Sequence, residues 1–301
     1  MAPGSSPCLQ DAAWVQSLLS LVEAAGREIL RVYDEAGRRV EAAQAQQKSD
    51  GSPVTQADLA AHRLLATGLA GLAPHVPVVS EEDGASWGRR ESHGVYWLID
   101  PLDGTREFLS RNGEFTVNVA LIEQGRPVFG VVGQPVAGTL YWGGPGMGAW
   151  CSESGRKVRP LDAARASSNE AQALESQVLE NQALRVMASR SHLDAHTQTL
   201  LDLVSQHRPI DLVQAGSSLK FCHLAANLAD FYPRLGPTQE WDTAAAQAVL
   251  EGAGGAVLDA QGHALVYGKP QTLNPWFIAV RDVSMIDMLL PAFASIQPQR
   301  P

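Results

Sequence analysis

Cysteine is scarce in this chain: Cys8, Cys151 and Cys222 are the only three in 301 residues, and no two of them form a CxxC pair. An odd, widely spread set is a poor disulfide or zinc framework, so reduced thiols in a cytoplasmic protein are the expectation. Basic residues are outnumbered, with 23 Lys and Arg against 32 Asp and Glu and a formal net charge of -9. That balance argues against binding a nucleic-acid polymer, because phosphate backbones are held by Lys and Arg. A small phosphorylated ligand stays open, since a bound metal reverses the local sign. No apolar run approaches the length of a bilayer span, so no transmembrane segment is expected. The opening MAPGSSPCLQDAAW lacks a basic start followed by an apolar stretch, so no secretory signal is expected either. Peripheral attachment to a membrane surface stays open.

Other motifs are missing as well. GGPGMG, Gly143 to Gly148, has no Lys-Ser/Thr after it and reads as a hairpin turn rather than a phosphate loop. His192 and His196 stand four apart, but no Glu adjoins His192 as in a zinc HExxH helix. Cys222 lies on an apolar helix face and reads as core. Tyr232 and Lys220 read equally well as packing residues or as ligand contacts. No repeat recurs at a fixed period.

What is present is a globular composition, 45% hydrophobic and 18% charged, long enough for one large domain or two ordinary ones. Residues from Asp11 to about Gln46 read as an amphipathic helix through Leu18, Leu19, Val22, Ile29 and Leu30. Thr55 and Asp58 have the spacing of a capping box and open a second helix, closed by Pro74. VPVVS, VYWLID, FTVNVALIE, PVFGVVGQP and TLYWGG then read as successive strands of an antiparallel or mixed sheet. Pro160 to Leu184 is weakly patterned and marks a boundary. Beyond it LRVMAS, PIDLVQA, ADFYPRL, AVLD and WFIAV alternate with helices, the pattern of an α/β half. The helices there start at His192, Ser217 and Asp242, with a last one ending near Ala294. The expectation is an α/β (α+β) chain, helix layers packed on two sheets. Its halves are 1–160, an α+β unit, and 161–301, an α/β unit.

Chemistry gathers in WLIDPLDGTREF, residues 97–108. A strand delivers Asp100, Pro101 has no N–H and should stop the ladder, and Asp103 follows on the same turn. Two carboxylates at one strand end suit a hard divalent cation, and the Leu102 carbonyl between them supplies a further oxygen. Gly104 and Thr105 open a helix start whose N–H groups suit an anion such as phosphate. SEEDG puts Glu81 or Glu82 at the end of the preceding strand, Asp242 stands at a later helix start, and Asp58 lies in the first half. Any one of these acids alone reads as a cap or turn residue. Together they would repel strongly, so a chain that tolerates them should supply a cation. Cation and phosphate sites side by side are what metal-assisted phosphoryl chemistry needs.

WLIDPLDGTREF resembles the metal-binding signature of the inositol monophosphatase superfamily, and EWDTAAAQAVLEGAGG resembles its second signature. Within it, SEEDG, GEFTVNVALIEQGRPVFGVVGQP, GSSLKFCHLAA and FYPRLGPTQEWDTAA are most similar to the CysQ-type 3'(2'),5'-bisphosphate nucleotidases. The resemblance implies a layered αβαβα sandwich. It implies hydrolysis of the 3'-phosphate of adenosine 3',5'-bisphosphate in the service of sulfate assimilation. It also implies two or three Mg²⁺ ions, with lithium as an inhibitor. Carried over by position, Glu81, Asp100, the Leu102 carbonyl, Asp103 and Asp242 would ligate metal. Asp58 and Thr105, with Glu81, would be catalytic. Asp103, Gly104, Thr105, Gly216, Ser217, Lys220 and Asp242 would contact the substrate. The 1–160 half would then hold most of the ligands, and the 161–301 half Asp242 and the substrate contacts. The chain departs from the pattern at Ala226-Asn227 and at Ala246, neither of them a ligand. A monomer or homodimer is expected, cytoplasmic or peripheral on the cytoplasmic face of the inner membrane. Two other readings stay open: an inositol monophosphatase or other sugar-phosphate phosphatase, and a catalytically silent nucleotide-binding protein.

Overall fold

Two β-sheets separated by a helix layer, and covered by helices on their outer faces, build the molecule. It is a computed structural model that describes residues 9, 11–38, 46–47, 53–92, 94–162, 182–188 and 194–296. Cys8, His192 and most of the weakly patterned stretch after Pro160 lie outside the described residues.

The outer layer pairs α1 (Ala12–Arg38) with α2 (Gln56–Leu72). The expected helix does not reach Gln46: α1 is described as far as Arg38, and Gln46–Gln47 (β1) pairs antiparallel with Pro53–Val54 (β2). Thr55 caps α2, accepting from the Ala57 N–H, and Asp58 closes the expected capping box. Against these helices lies the first sheet, β3 (Val78–Ser80), β4 (Val95–Asp103), β5 (Thr116–Glu123), β6 (Arg126–Gln134), β7 (Thr139–Gly144), β8 (Gly148–Glu153) and β9 (Arg159–Leu161), in that order. β3 runs parallel to β4 and the later neighbours are antiparallel. GGPGMG spans the β7–β8 turn, as expected.

Strand alternation sorts the core. Trp97, Ile99, Val117, Val119 and Leu121 face α1 and α2, whereas Tyr96, Leu98, Ala120 and Ile122 face the middle layer. That layer is α6 (Leu219–Ala225) and α7 (Glu240–Gly252), with Cys222 buried in it as core. Next comes the second sheet of β10 (Leu184–Ala188), β11 (Ile210–Gln214), β12 (Phe231–Arg234), β13 (Ala256–Asp259) and β14 (Phe277–Val280), in the order β11-β10-β12-β14-β13. Its far face packs on α5 (Ala195–Ser205) and α8 (Ile286–Ser295). The short α3 (Arg89–Ser92) and α4 (Thr105–Leu109) flank β4. The order of layers is αβαβα. Among the described residues, no helix is long and apolar enough to cross a membrane.

Helix α7 sits unusually close to the first sheet because both partners are small at the contact. Ala244, Ala245, Ala246 and Ala248 are buried, and a Cβ placed on Gly130 of β6 would lie 2.0 Å from the Ala245 carbonyl oxygen. Gly130→Ala must therefore push α7 off the sheet. Overpacking of this kind costs about 1–3 kcal/mol, so a lowered urea midpoint with unchanged slope is expected in equilibrium unfolding.

Candidate active site

Five segments converge at one end of the first sheet. β4 brings Asp100, which is buried, and the strand continues through Pro101 to Asp103 instead of stopping as expected. Pro101 is accommodated by a register irregularity between the Asp100↔Asn118 and Asp103↔Thr116 pairs, where the missing N–H is not needed. The Leu102 N–H turns back onto Asp100 Oδ1 at 3.1 Å, which fixes that carboxylate. Gly104 follows at φ 92°, a left-handed conformation that sets the chain into α4 at Thr105.

The parallel pairing of β3 with β4 carries the chain past Ser80 to Glu81, whose N–H donates to the Ile99 carbonyl at 3.2 Å. Glu81 and Asp100 share a side-chain hydrogen bond. Asp242 arrives from the other side as the third residue of α7. Its N-cap is Gln239, not Asp242 itself, and Gln239 N–H donates to Asp242 Oδ2 at 2.8 Å. One oxygen each of Asp100, Asp103 and Asp242 lie within 4.8 Å of one another.

Among the described residues, the donors to the Asp103 carboxylate all reach one oxygen. Its Oδ2 accepts from Ser218 N–H at 2.7 Å and from Ser218 Oγ at 2.6 Å. Thr116 Oγ1 and Asn118 Nδ2 stand 3.4 Å from the same oxygen. Ser218 and Asn118 were not among the expected site residues. The second Ser of GSSLK is the sequence signal for the former, and nothing local marks the latter. Ser217 Oγ donates to the Asp103 carbonyl at 2.9 Å, so this turn is stitched to the strand end, and a Cβ added at Gly216 would lie 2.8 Å from the Glu114 carbonyl oxygen. Lys220 Nζ donates to the carbonyls of Ser217, at 2.9 Å, and Ala215, at 3.3 Å, and lies over the Tyr232 ring. Both side chains are buried and pack this turn against the core.

Asp58 reaches the β4–α4 junction from α2, through Thr105. Its Oδ2 accepts from Thr55 N–H at 2.8 Å and Thr55 Oγ1 at 2.5 Å, and Thr105 Oγ1 reaches its Oδ1 at 3.4 Å. The site thus draws on α2, the β3 end, the β4–α4 junction, the turn before α6 and the first turn of α7.

Burial pushes the Asp100 carboxyl well above the ordinary carboxylate range, and the charges of Glu81, Asp103 and Asp242 push it further. Desolvation raises Asp242 as well, followed by the charge of Asp103, against a smaller lowering from the Gln239 N–H. Among the described residues, no Lys or Arg forms an ion pair with Asp100, Asp103 or Asp242. An all-oxygen donor set with unbalanced negative charge fits a hard divalent cation such as Mg²⁺.

A stability consequence follows from the raised values. Where folded Asp100 and Asp242 hold protons that the unfolded chain has lost, the native state binds more protons than the unfolded one. In EDTA the melting temperature should therefore fall as pH rises from the ordinary carboxylate range, near 4, through the raised folded values. At neutral pH, Mg²⁺ should raise it again. Asp242→Asn should flatten both responses in a thermal unfolding series. A pH-independent melting temperature in EDTA would contradict this account of the cluster.

The geometry agrees with what the chain is similar to. A profile of the inositol monophosphatase family matches residues 12–285. The chain is 44% identical over 265 residues to the 3'(2'),5'-bisphosphate nucleotidase CysQ of Salmonella typhimurium, covering 87% of this chain and 98% of that protein. It is 43% identical to the enzyme of the same name from Escherichia coli K12, with the same coverage. Among solved structures, CysQ from Bacteroides thetaiotaomicron, titled a bacterial member of the inositol monophosphatase family, superposes with a TM-score of 0.71 at 35% identity. That match covers 88% of this chain and 96% of the other. The suhB protein of Bartonella henselae shares the fold, with a TM-score of 0.70 at 23% identity over 94% of this chain and 99% of that one. The profile match, the identity over nearly nine-tenths of its length and the shared fold place this chain in the inositol monophosphatase family.

Proposed function

We propose that this chain is a Mg²⁺-dependent phosphatase that hydrolyses the 3'-phosphate of adenosine 3',5'-bisphosphate to AMP and phosphate, clearing that by-product of sulfate assimilation in the cytoplasm. The observation that carries the reading is the unbalanced Asp100–Asp103–Asp242 cluster, standing in a chain whose curated relatives bear the bisphosphate nucleotidase name. Glu81, Asp100, the Leu102 carbonyl, Asp103 and Asp242 would hold the metal, two or three ions in all, with Asp58 beside them. Mg²⁺ bound there supplies Lewis acidity, which makes water a better nucleophile and neutralises a leaving oxygen.

The chain's own residues then orient and move protons. Thr105 Oγ1 donates to Asp58 Oδ1, which turns its lone pairs toward an attacking water. Asp58 keeps its other oxygen on Thr55, so its carboxylate is pre-oriented when it receives the proton through Thr105. Backbone N–H groups of Gly104 and Thr105 would hold the phosphoryl oxygens. Gly216, Ser217 and Lys220 shape the turn against which the nucleotide would lie, with Lys220 supplying positive charge beneath it. The 1–160 half would carry most of the metal ligands and the 161–301 half Asp242 and the nucleotide wall.

Phosphate release should therefore require Mg²⁺, fall on adding Li⁺, and be much faster from adenosine 3',5'-bisphosphate than from inositol 1-phosphate at equal concentration. Asp103→Asn should lower kcat/KM on the order of a thousandfold, with the circular dichroism spectrum unchanged. Wild-type turnover by Asp103→Asn would sink the metal assignment. Preference for the inositol ester would keep the chemistry and reassign the substrate. No release from either ester would leave a different phosphate ester as the substrate, or a silent nucleotide-binding protein.

A further inference from the structure

The first turn of α7 carries two acids, and the structure treats them oppositely. Asp242 joins the unbalanced cluster, whereas Glu240, two residues earlier and fully buried, has all its charge met. Its Oε2 accepts from Arg90 Nη1 at 2.9 Å and from Gly268 N–H at 3.0 Å. Its Oε1 accepts from Lys269 Nζ at 2.7 Å and from Lys269 N–H at 3.0 Å. Arg90 is 3% exposed and also donates from Nε to the Trp87 carbonyl at 3.0 Å. Trp87 in turn donates from Nε1 to the Ser80 carbonyl at 2.9 Å, and its ring lies 5.0 Å from that of Trp241.

These contacts form a continuous path of peptide and hydrogen bonds from Glu81 through Ser80, Trp87, Arg90, Glu240 and Trp241 to Asp242, braced by the contact between the Trp87 and Trp241 rings. We propose that Glu240 is a positioning residue that fixes the helix turn bearing Asp242 relative to the strand end bearing Glu81, through Arg90 and Trp87. The inference rests on the reading that those two acids hold Mg²⁺. A buried ion pair is weak support for stability alone, because desolvation offsets much of its attraction. What four directional bonds on one carboxylate provide is a fixed place for the helix turn that bears Asp242.

Isothermal titration with Mg²⁺ and the Mg²⁺-induced shift in melting temperature test this directly. Folded Glu240→Gln should bind Mg²⁺ about tenfold more weakly than wild type. Half-saturating Mg²⁺ for phosphate release should rise by the same factor, while kcat at saturating Mg²⁺ stays within about twofold. The double variant Glu240→Gln/Lys269→Met restores the net charge but not the bonds, and should stay weak. If its Mg²⁺ affinity recovers, the effect is one of charge and the positioning role is wrong. The role is equally wrong if Glu240→Gln melts lower yet binds Mg²⁺ as wild type does. Should Glu240→Gln not fold, Arg90→Lys keeps the charge opposite Glu240, lacks the bond to Trp87, and carries the same expectation and the same refutation. Wild-type protein that binds no Mg²⁺ would overturn the metal reading itself, and this inference with it, before any variant is made.

Discussion

Mutual repulsion among Asp100, Asp103 and Asp242 is the constraint around which the rest of the site is arranged. Their oxygens lie within 4.8 Å of one another. At such distances a like-charged pair is worth about 4 kcal/mol at an intermediate dielectric. The chain resists that force with short, local restraints. Asp100 and Asp103 belong to one strand, so their separation is set by the register irregularity at Pro101. Asp103 is pulled to one side by Ser218, and Asp242 is held by the backbone of its own helix cap. For these last two acids the donors all reach Oδ2, which leaves the other oxygen without a protein donor among the described residues. A carboxylate fixed through one oxygen and free at the other is pre-organised to accept a cation with little reorganisation.

The middle helix layer makes this convergence possible. Asp242 reaches the first sheet only because α7 approaches it backbone to backbone, across alanines on one side and Gly130 on the other. Larger side chains would fill the core equally well by volume, but they would lift the helix and separate Asp242 from the β4 acids. The Ala-rich start of α7 thus serves packing distance as much as helix propensity. Glu240 in the same turn shows the alternative fate of a buried acid. Arg90 and Lys269 neutralise it, and it becomes scaffold.

Local features were the legible ones. The Thr55–Asp58 box, the strand alternation of the first sheet and the GGPGMG turn all follow from spacing of a few residues. Asp100, Asp103 and Asp242 could be singled out because they fall at a strand end and a helix start and because their motifs resemble the family's signatures. Three readings went astray or stayed silent for physical reasons. Pro101 was expected to end β4, but a β-irregularity absorbs a missing donor without ending the strand. Helix α1 does not reach Gln46, which pairs with Val54 in a short antiparallel ladder instead. Ser218, Asn118 and Glu240 carry no local mark, because their partners lie 100 to 150 residues away in the chain. A Glu before Trp-Asp at a helix start reads as an ordinary first-turn acid, and only tertiary contact reveals Arg90 opposite it.

Two of the site's acids share one device. Asp58 and Asp242 are both the third residue of a helix, and each bonds back to its own N-cap residue, Thr55 or Gln239. The capping box selects the carboxylate's rotamer by bonds the helix needs in any case, so orientation comes without a dedicated partner from elsewhere in the fold. The partial positive charge of the helix N-terminus also offsets part of the acid's own charge. Asp100 has neither advantage. It sits on a strand, which has little net dipole, and it is the most buried of the three cluster acids. Its ionised form is thus the one that the protein alone supports least. Of the cluster acids it therefore stands to gain most from a bound cation, and it couples the order of the strand end most tightly to that ion's presence.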